Sequence, residues 1–408
     1  MKVLLSAYAC EPGKGSEQEV GLRVLLAAAQ RHDVWVLTRK NNISPLEEFL
    51  AGHPLSSRIR LQGVDLDGPV RRVKGAGLPG LHLYYEAWQR LAARVAAELN
   101  HTIDFDLVHH ATFAAYWTRT GVSELDKPLV WGPVGGGVLP PGALLPELGM
   151  AGLREEAMRE TVRRLALLRP RIRATARAAA VCLAQNASTA QRLGRSDVTV
   201  LPNALTVQLP RLGPALPRST DIAFVGRLVP WKGGPLAVRA LRHLRHQDSV
   251  LRVFGEGPDR DRILRTAERW GLRDRVDLLG AVPRGELLGR LRRAGVLLHS
   301  SLHEEAGLSV AEALTLGVPV VCLDHGGPAE LVKWWPAAQS TLVPPGSSAS
   351  TARELAVAID AFLDKAPDSP AEPVPPSASF ESLLLDAYDT AVQAGSRPAG
   401  SAGKRSSS

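Results

Sequence analysis

Two stretches of this chain repeat one pattern, in which short, continuous apolar runs alternate with longer segments of helical period. In the first, "KVLLSAY" (2–8), "HDVWVLTR" (32–39), "IRLQGVDL" (59–66), "FDLVHHA" (105–111), "KPLVWGP" (127–133) and "AAAVCLA" (178–184) read as strands, and "SEQEVGLRVLLAAAQRH" (16–32) as a helix. In the second, "TDIAFVGR" (220–227), "VLRVFGEG" (250–257), "RVDLLGAV" (275–282), "GVLLHSS" (295–301) and "PVVCLDHGG" (319–327) are separated by helical patterns. Runs apolar at every position suit strands covered on both faces, and the strand–helix–strand order builds a parallel sheet. Between the two stretches, "ALTVQLPRLGPALPRS" (204–219) carries three prolines and little periodicity. The pattern predicts two doubly wound α/β domains, 1–205 and 220–366, joined by a linker at 206–219. Ligands of such sheets bind at the carboxyl ends of the strands, so the expected site is a cleft between the domains. A proline-rich crossover and a last helix occupy 367–393, and 394–408, without apolar periodicity, are expected to be disordered.

Within that frame, two glycine-bearing strand ends stand out. In "FVGRLVPWKGG", Gly226 makes a turn after a strand, and Arg227 and Lys232 follow before a helix. Two cations beside a helix N-terminus suit a diphosphate, with Arg227 pairing its oxygens and Lys232 acting as a compact charge. The plainer reading is a turn with two surface cations. In "HEEAGLSVAE" (303–312), Ser309 and Glu312 have the spacing of a capping box, which explains Glu312 structurally and leaves Glu304 idle. Gly307, Leu308 and Ser309 would present backbone amides to an anion at the helix start. Carboxylates beside a phosphate need neutral donors such as sugar hydroxyls, so Glu304 and Glu312 around an anion hole suggest a nucleotide sugar. The loop "CEPGKGSE" (10–17) opens a helix but matches neither GxxxxGK[ST] nor GxGxxG. His109 and His110 end a strand at its carboxyl edge, and "WGPVGGG" (131–137) suggests a tight turn at the cleft rim.

Other chemistries are weaker in this sequence. Cys10, Cys182 and Cys322 are odd in number and far apart, which argues against disulfides and a structural zinc. The DxD patterns at 65–67 and 104–106 border predicted strands, where acidic turn residues are common, and no metal is expected. The net charge of +8 suits anionic partners. No basic cluster interleaved with aromatics appears, so nucleic acid is not expected. The segment 154–180 holds eight arginines against three glutamates, and two readings stay open for it: a packed helix with a solvated basic face, or a peripheral contact with an anionic membrane. No apolar run is long enough to span a bilayer and no signal peptide is evident, so a cytoplasmic setting is expected.

Taken in order and spacing, "FVGRLVPWKG", "VFGEGP" (253–258), "EEAGLSVAEALTLGVPVV" (304–321) and "DHGGPAELV" (324–332) resemble the retaining glycosyltransferases of family 4, which have the GT-B fold of two Rossmann-like domains. "CEPGKGSE" and "WGPVGGG" resemble a bacterial branch of that family. The resemblance implies that Arg227 and Lys232, after Gly226, neutralise the diphosphate of a nucleoside-diphosphate sugar. It implies that Glu304 faces the sugar hydroxyls, that Glu312 holds the ribose, and that the amides of Gly307 and Leu308 lie near sugar and phosphate. Gly13, Gly15 and Ser16 match the loop over the phosphates, Val282 and Pro283 the place of the base, and helix 379–393 the return to the N-terminal domain. No cofactor is implied. Two departures stand out: Glu305-Ala306 follow the first glutamate, and HH replaces an HxH pattern, so His109 and His110 both stay candidates. A nucleotide-sugar epimerase and a non-catalytic sugar-nucleotide or glycan-binding protein are the alternatives, and the glycan, lipid-linked or small-molecule acceptor is open.

Overall fold

The computed structural model describes residues 1–14, 16–66, 77–210, 217–366 and 371–395. The N-terminal domain runs β1 (Lys2–Ser6), α1 (Ser16–Ala29), β2 (Asp33–Thr38), α2 (Ile43–Leu50), β3 (Ile59–Gly63), α3 (Gly77–Ile103), β4 (Leu107–His110), β5 (Leu129–Val134), α4 (Gly149–Leu167), α5 (Pro170–Ala178), β6 (Val181–Ala184), α6 (Ala187–Leu193) and β7 (Val198–Val200). Its seven strands are all parallel, in the order β3-β2-β1-β4-β5-β6-β7. The central strands β1, β4 and β5 are buried along almost their whole length, which is why their sequences are apolar runs rather than alternations.

The second domain runs β8 (Ile222–Val225), α7 (Gly234–Leu241), β9 (Leu251–Phe254), α8 (Arg260–Arg269), β10 (Val276–Gly280), α9 (Arg284–Leu291), β11 (Val296–His299), α10 (Leu308–Leu316), β12 (Val320–Leu323), α11 (Gly326–Val332), β13 (Ser340–Val343) and α12 (Ser348–Leu363). Its six parallel strands lie in the order β10-β9-β8-β11-β12-β13. Together the two sheets form a GT-B fold, two Rossmann-like domains with their strand ends facing each other. The expected linker, 206–219, starts as packed structure, with Thr206 buried next to Leu205; residues 211–216 lie outside the described part, as do Asp67 and most of the tail.

In each sheet the winding direction reverses once, between β1 and β4 and between β8 and β11. Loops leaving the two strands at such a point diverge and leave a crevice. Here those loops are residues 7–14 and 111–118 in one domain, 226–233 and 300–307 in the other. The last helix, α13 (Phe380–Gly395), leaves the second domain and packs on α1 and β4 of the first.

Candidate functional site

The two loops of the second domain are fastened to each other by backbone carbonyls. Leu302 N–H donates to Trp231 O at 2.7 Å, Ser301 Oγ to the same carbonyl at 3.1 Å, and Ser300 Oγ to Gly233 O at 2.9 Å. Gly233 sits at φ +70°, and a Cβ there would lie 2.2 Å from Ser300 O, so only glycine permits this approach. The fastening brings Lys232 onto Glu304, whose other oxygen accepts from the Gly307 amide at 3.3 Å. The pair is largely enclosed, with the side chains 19% and 17% exposed. Burial pushes the Glu304 carboxyl up, but the Lys232 ammonium and nearby His299 outweigh it and hold it at about 2. His299 itself is driven down to about 4 by burial and by Lys232. The Lys232 chain passes over Gly226, where a Cβ would lie 3.6 Å from its Cε. Arg227 is exposed at the same turn.

α10 begins at Leu308, not at Ser309. Gly307 takes φ +72° and caps the helix, and its carbonyl already accepts from Val310 and Ala311. Ser309 therefore lies inside the first turn, and the expected capping box does not form. Glu312, released from capping, meets Arg284 Nη2 at 3.0 Å across from α9. Burial pushes its carboxyl up, opposed by Arg284. Arg284 directly follows Val282 and Pro283, the proposed base position; Val282 packs on the core and Pro283 precedes α9. Sequence reasoning missed Arg284, although its place beside that pair was a signal.

In the N-terminal domain, Gly13 is exposed at φ +71° and Ser16 begins α1, while Gly15 lies outside the described residues. The next residue, Glu17, accepts a 2.6 Å hydrogen bond from the Phe113 amide, tying the start of α1 to the other loop at this sheet's reversal point. Burial raises the Glu17 carboxyl against that bond.

The two reversal points enclose a cavity of about 510 Å³. Its walls include Glu17, Tyr85, Phe113 and Trp117 from one domain and His303, Glu304, Glu305 and Leu308 from the other. The glycine-rich strand end forms part of the wall: a Cβ on Gly136, at φ +94°, would lie 1.9 Å from the Trp117 ring. Glu305 reaches across the cleft, accepting from Val138 N at 3.0 Å, Asn186 Nδ2 at 2.9 Å and Thr189 Oγ1 at 3.2 Å. His303 pairs with Glu156 at 3.2 Å. Burial lowers the His303 imidazole, but Glu156 and Glu305 together raise it above its ordinary value.

One face of the arginine-rich segment is turned into this cleft, while Arg154, Arg164, Arg169 and Arg177 stay exposed. Met158, Arg159, Val162 and Arg163 of α4 line the cavity, and Arg159 stacks on Trp231 of the second domain at 4.0 Å. Arg163, expected on a solvated or lipid-facing stripe, is buried. Among the described residues no helix is long and apolar enough to cross a membrane.

His109 is not at the cavity. Its Nε2 donates to Gly132 O at 2.7 Å, so the neutral ring accepts from the Tyr388 hydroxyl at Nδ1, also 2.7 Å. Burial holds it at about 4, and its ring packs against Tyr388 of α13. His110 lies behind the wall, 3.2 Å from the Tyr85 hydroxyl, and burial takes it to about 3. Asp104 and Asp106 lie at the opposite edge of the sheet, on Lys127 and the Lys2 amide, and Asp65 bonds Tyr84. No group of three metal-ligating side chains occurs among the described residues.

Residues 215–368 match the family model of glycosyl transferases group 1. A 2-deoxystreptamine glucosyltransferase from Streptomyces kanamyceticus is 29% identical over 306 residues, 71% of this chain and 70% of that protein. Further curated relatives at 30–32% identity are matched over 26–36% of their length. Among solved structures, TarM superposes with a TM-score of 0.60 at 10% identity, covering 96% of this chain and 98% of TarM. Anabaena HepE in complex with UDP gives 0.51 at 17% identity, over 96% and 99%.

Proposed function

We propose that this chain, with its group 1 domain and GT-B frame, is a family 4 glycosyltransferase that moves a sugar from a nucleoside-diphosphate donor to an acceptor hydroxyl with retention of configuration. The observation that carries the reading is the meeting of Lys232 and Glu304 at the reversal point of the second sheet, beside the start of α10. In the complex Lys232 and Arg227 take the diphosphate, and the amides of Leu308 and Ser309 at the start of α10, ahead of those bonded to Gly307, add the positive end of the helix. Glu304 then turns to the sugar hydroxyls and Glu312 to the ribose. Gly13, Gly15 and Ser16 approach the phosphates from the other domain, Gly226, Gly307 and Leu308 line the donor's path, and Val282 with Pro283 flank the base.

The chemistry is departure and attack on one face. The bond from the anomeric carbon to phosphate breaks, the bond to the acceptor oxygen forms, and the acceptor proton passes to the leaving diphosphate. Stabilising that leaving charge is the main catalytic term, as with preorganised donors elsewhere. Two side-chain cations and a helix start supply this charge, so transfer should need no organic cofactor and persist in EDTA. Full dependence on added Mg²⁺ would count against the mechanism. The donor class is tested by a thermal-shift screen with UDP-, GDP-, ADP- and dTDP-sugars. UDP-glucose heads the panel, because the S. kanamyceticus relative is named a glucosyltransferase and HepE was solved with UDP. The expected result is one base that raises the melting temperature well above the others; no shift with any of the four would sink the proposal.

A further inference from the structure

The cavity across from Lys232 has few polar groups left to spend. Glu305 is held by Asn186, Thr189 and the Val138 amide, His303 by Glu156, Arg159 by Glu155 at 2.6 Å, and Glu17 by the Phe113 amide. Between these groups stand the apolar faces of Tyr85, Phe113, Trp117, Met158 and Val162. An oligosaccharide end would bring many hydroxyls to a wall whose hydrogen-bonding side chains are mostly paired already. A polycationic aminocyclitol would meet Arg159 and Arg163.

Three wall residues keep buried polar atoms without a hydrogen-bond partner: Trp117 Nε1, Arg163 Nε and Asn203 Oδ1. Unpaired buried groups are costly, and in a binding cavity they mark where a ligand's complement belongs. Arg163 is only 4% exposed, and its guanidinium lies 5.0 Å from the centre of the Trp117 ring. Its ion pairs with Glu156 and Glu160, at 3.5 and 3.7 Å, run through Nη1 and leave Nε unused. Two unpaired N–H donors on neighbouring side chains call for an oxygen that only accepts. Asn203 offers the opposite chemistry, an acceptor that calls for an O–H. It begins the turn Asn203–Thr206, which packs on α10, and it shares the cavity wall with Leu308 and Glu304 on the donor side.

We propose that the acceptor is a compact, apolar, ring-bearing alcohol with a carbonyl or carboxylate oxygen, that oxygen seated on Trp117 and Arg163 and its hydroxyl at Asn203, facing the donor beside Glu304. The inference rests on reading this cavity as the acceptor site of the proposed transfer. A cavity of about 510 Å³ suits one such molecule.

Isothermal titration of the full chain, with and without UDP, tests it using four probes: 6-hydroxy-2-naphthoate, 2-naphthol, 2-deoxystreptamine and maltose. The naphthoate should bind about tenfold or more tighter than 2-naphthol, and both tighter than the two polar probes. Trp117→Phe keeps an aromatic six-membered ring and removes the indole N–H with its pyrrole ring; it should weaken naphthoate binding more than 2-naphthol binding, shrinking the naphthoate advantage severalfold, while UDP binds as before. Tighter binding of 2-deoxystreptamine or maltose, or a naphthoate advantage untouched by Trp117→Phe, would overturn the inference. If UDP binds and no ring alcohol does, the acceptor class falls and the donor reading stands. If no nucleotide binds, the donor reading falls, and the titrations without UDP still decide what the cavity takes.

Discussion

Lys232 is the residue whose removal separates stability from catalysis most cleanly. Lys232→Ala leaves Glu304 ionised, largely enclosed and without its main partner. A carboxyl held at about 2 rather than near ~4.3 corresponds to about 3 kcal/mol of interaction favouring the ionised form. Breaking an enclosed pair from one side costs in that range. Urea unfolding at pH 7 should therefore show Lys232→Ala destabilised by about 2–3 kcal/mol. Lys232→Ala/Glu304→Gln should recover much of the loss, because no unpaired charge remains. The sign with pH follows from the lowered carboxyl. Its contribution is present above ~4.3 and is lost as pH falls through about 2, so the gap between wild type and Lys232→Ala should persist at pH 5 and close under acid. Turnover should not follow stability: both variants lose the cation on the leaving diphosphate and should fall ~10²–10³-fold in kcat. The result that would refute the reasoning is additivity, with the two single substitutions summing to the double in unfolding free energy. Near-normal turnover of Lys232→Ala would refute the catalytic half.

Other outcomes follow from the same geometry. Glu305→Ala removes three hydrogen bonds across the cleft, and small-angle scattering should report a more open particle together with a severalfold higher KM. His303, raised by Glu156 and Glu305, stabilises the folded state fully below ~6.5 and loses that contribution as pH rises through its higher folded value. Melting curves should accordingly show wild type losing stability relative to His303→Gln as pH rises above the ordinary histidine value of ~6.5. Glu312→Ala should raise the KM for the donor about tenfold with a smaller change in kcat, as expected for loss of a ribose grip. Tyr388→Phe leaves His109 Nδ1 buried without a partner, which calorimetry should register as about 1–3 kcal/mol lost with kcat nearly unchanged.

The two sheets were readable from sequence because buried parallel strands are written as uninterrupted apolar runs, such as "LVHH" and "VLLH". Lys232 and Glu304 were identifiable as types, yet no spacing joins residues so far apart; the carbonyls of Trp231 and Gly233 do that. The capping box failed because Ser-x-x-Glu is also satisfied inside a helix once Gly307 adopts a positive φ and starts it earlier. The α4 segment was ambiguous for a different reason. Periodicity shows that a helix has two faces but not what covers each, and here Trp231 and Trp117 cover arginines. Glu305 was visible as a departure from the family pattern, while its partners Val138, Asn186 and Thr189 belong to the other domain. His109 and His110 share one strand, and successive residues of a strand point to opposite faces. Only the packing of α13 on one face decided which histidine lies nearer the cavity.

The chain crosses between its domains twice, once after β7 and again where Ser377, bonded to Trp334 of the second domain, leads into α13 on the first. A body held at two points keeps rotation about the line through them and loses most sliding and tumbling. The cleft is thus hung like a door on two pins, with Glu305 as its latch on the free edge. If the cleft closes during the proposed transfer, such a hinge would hold the motion to one arc and bring Lys232 and Glu304 back to the same place each time.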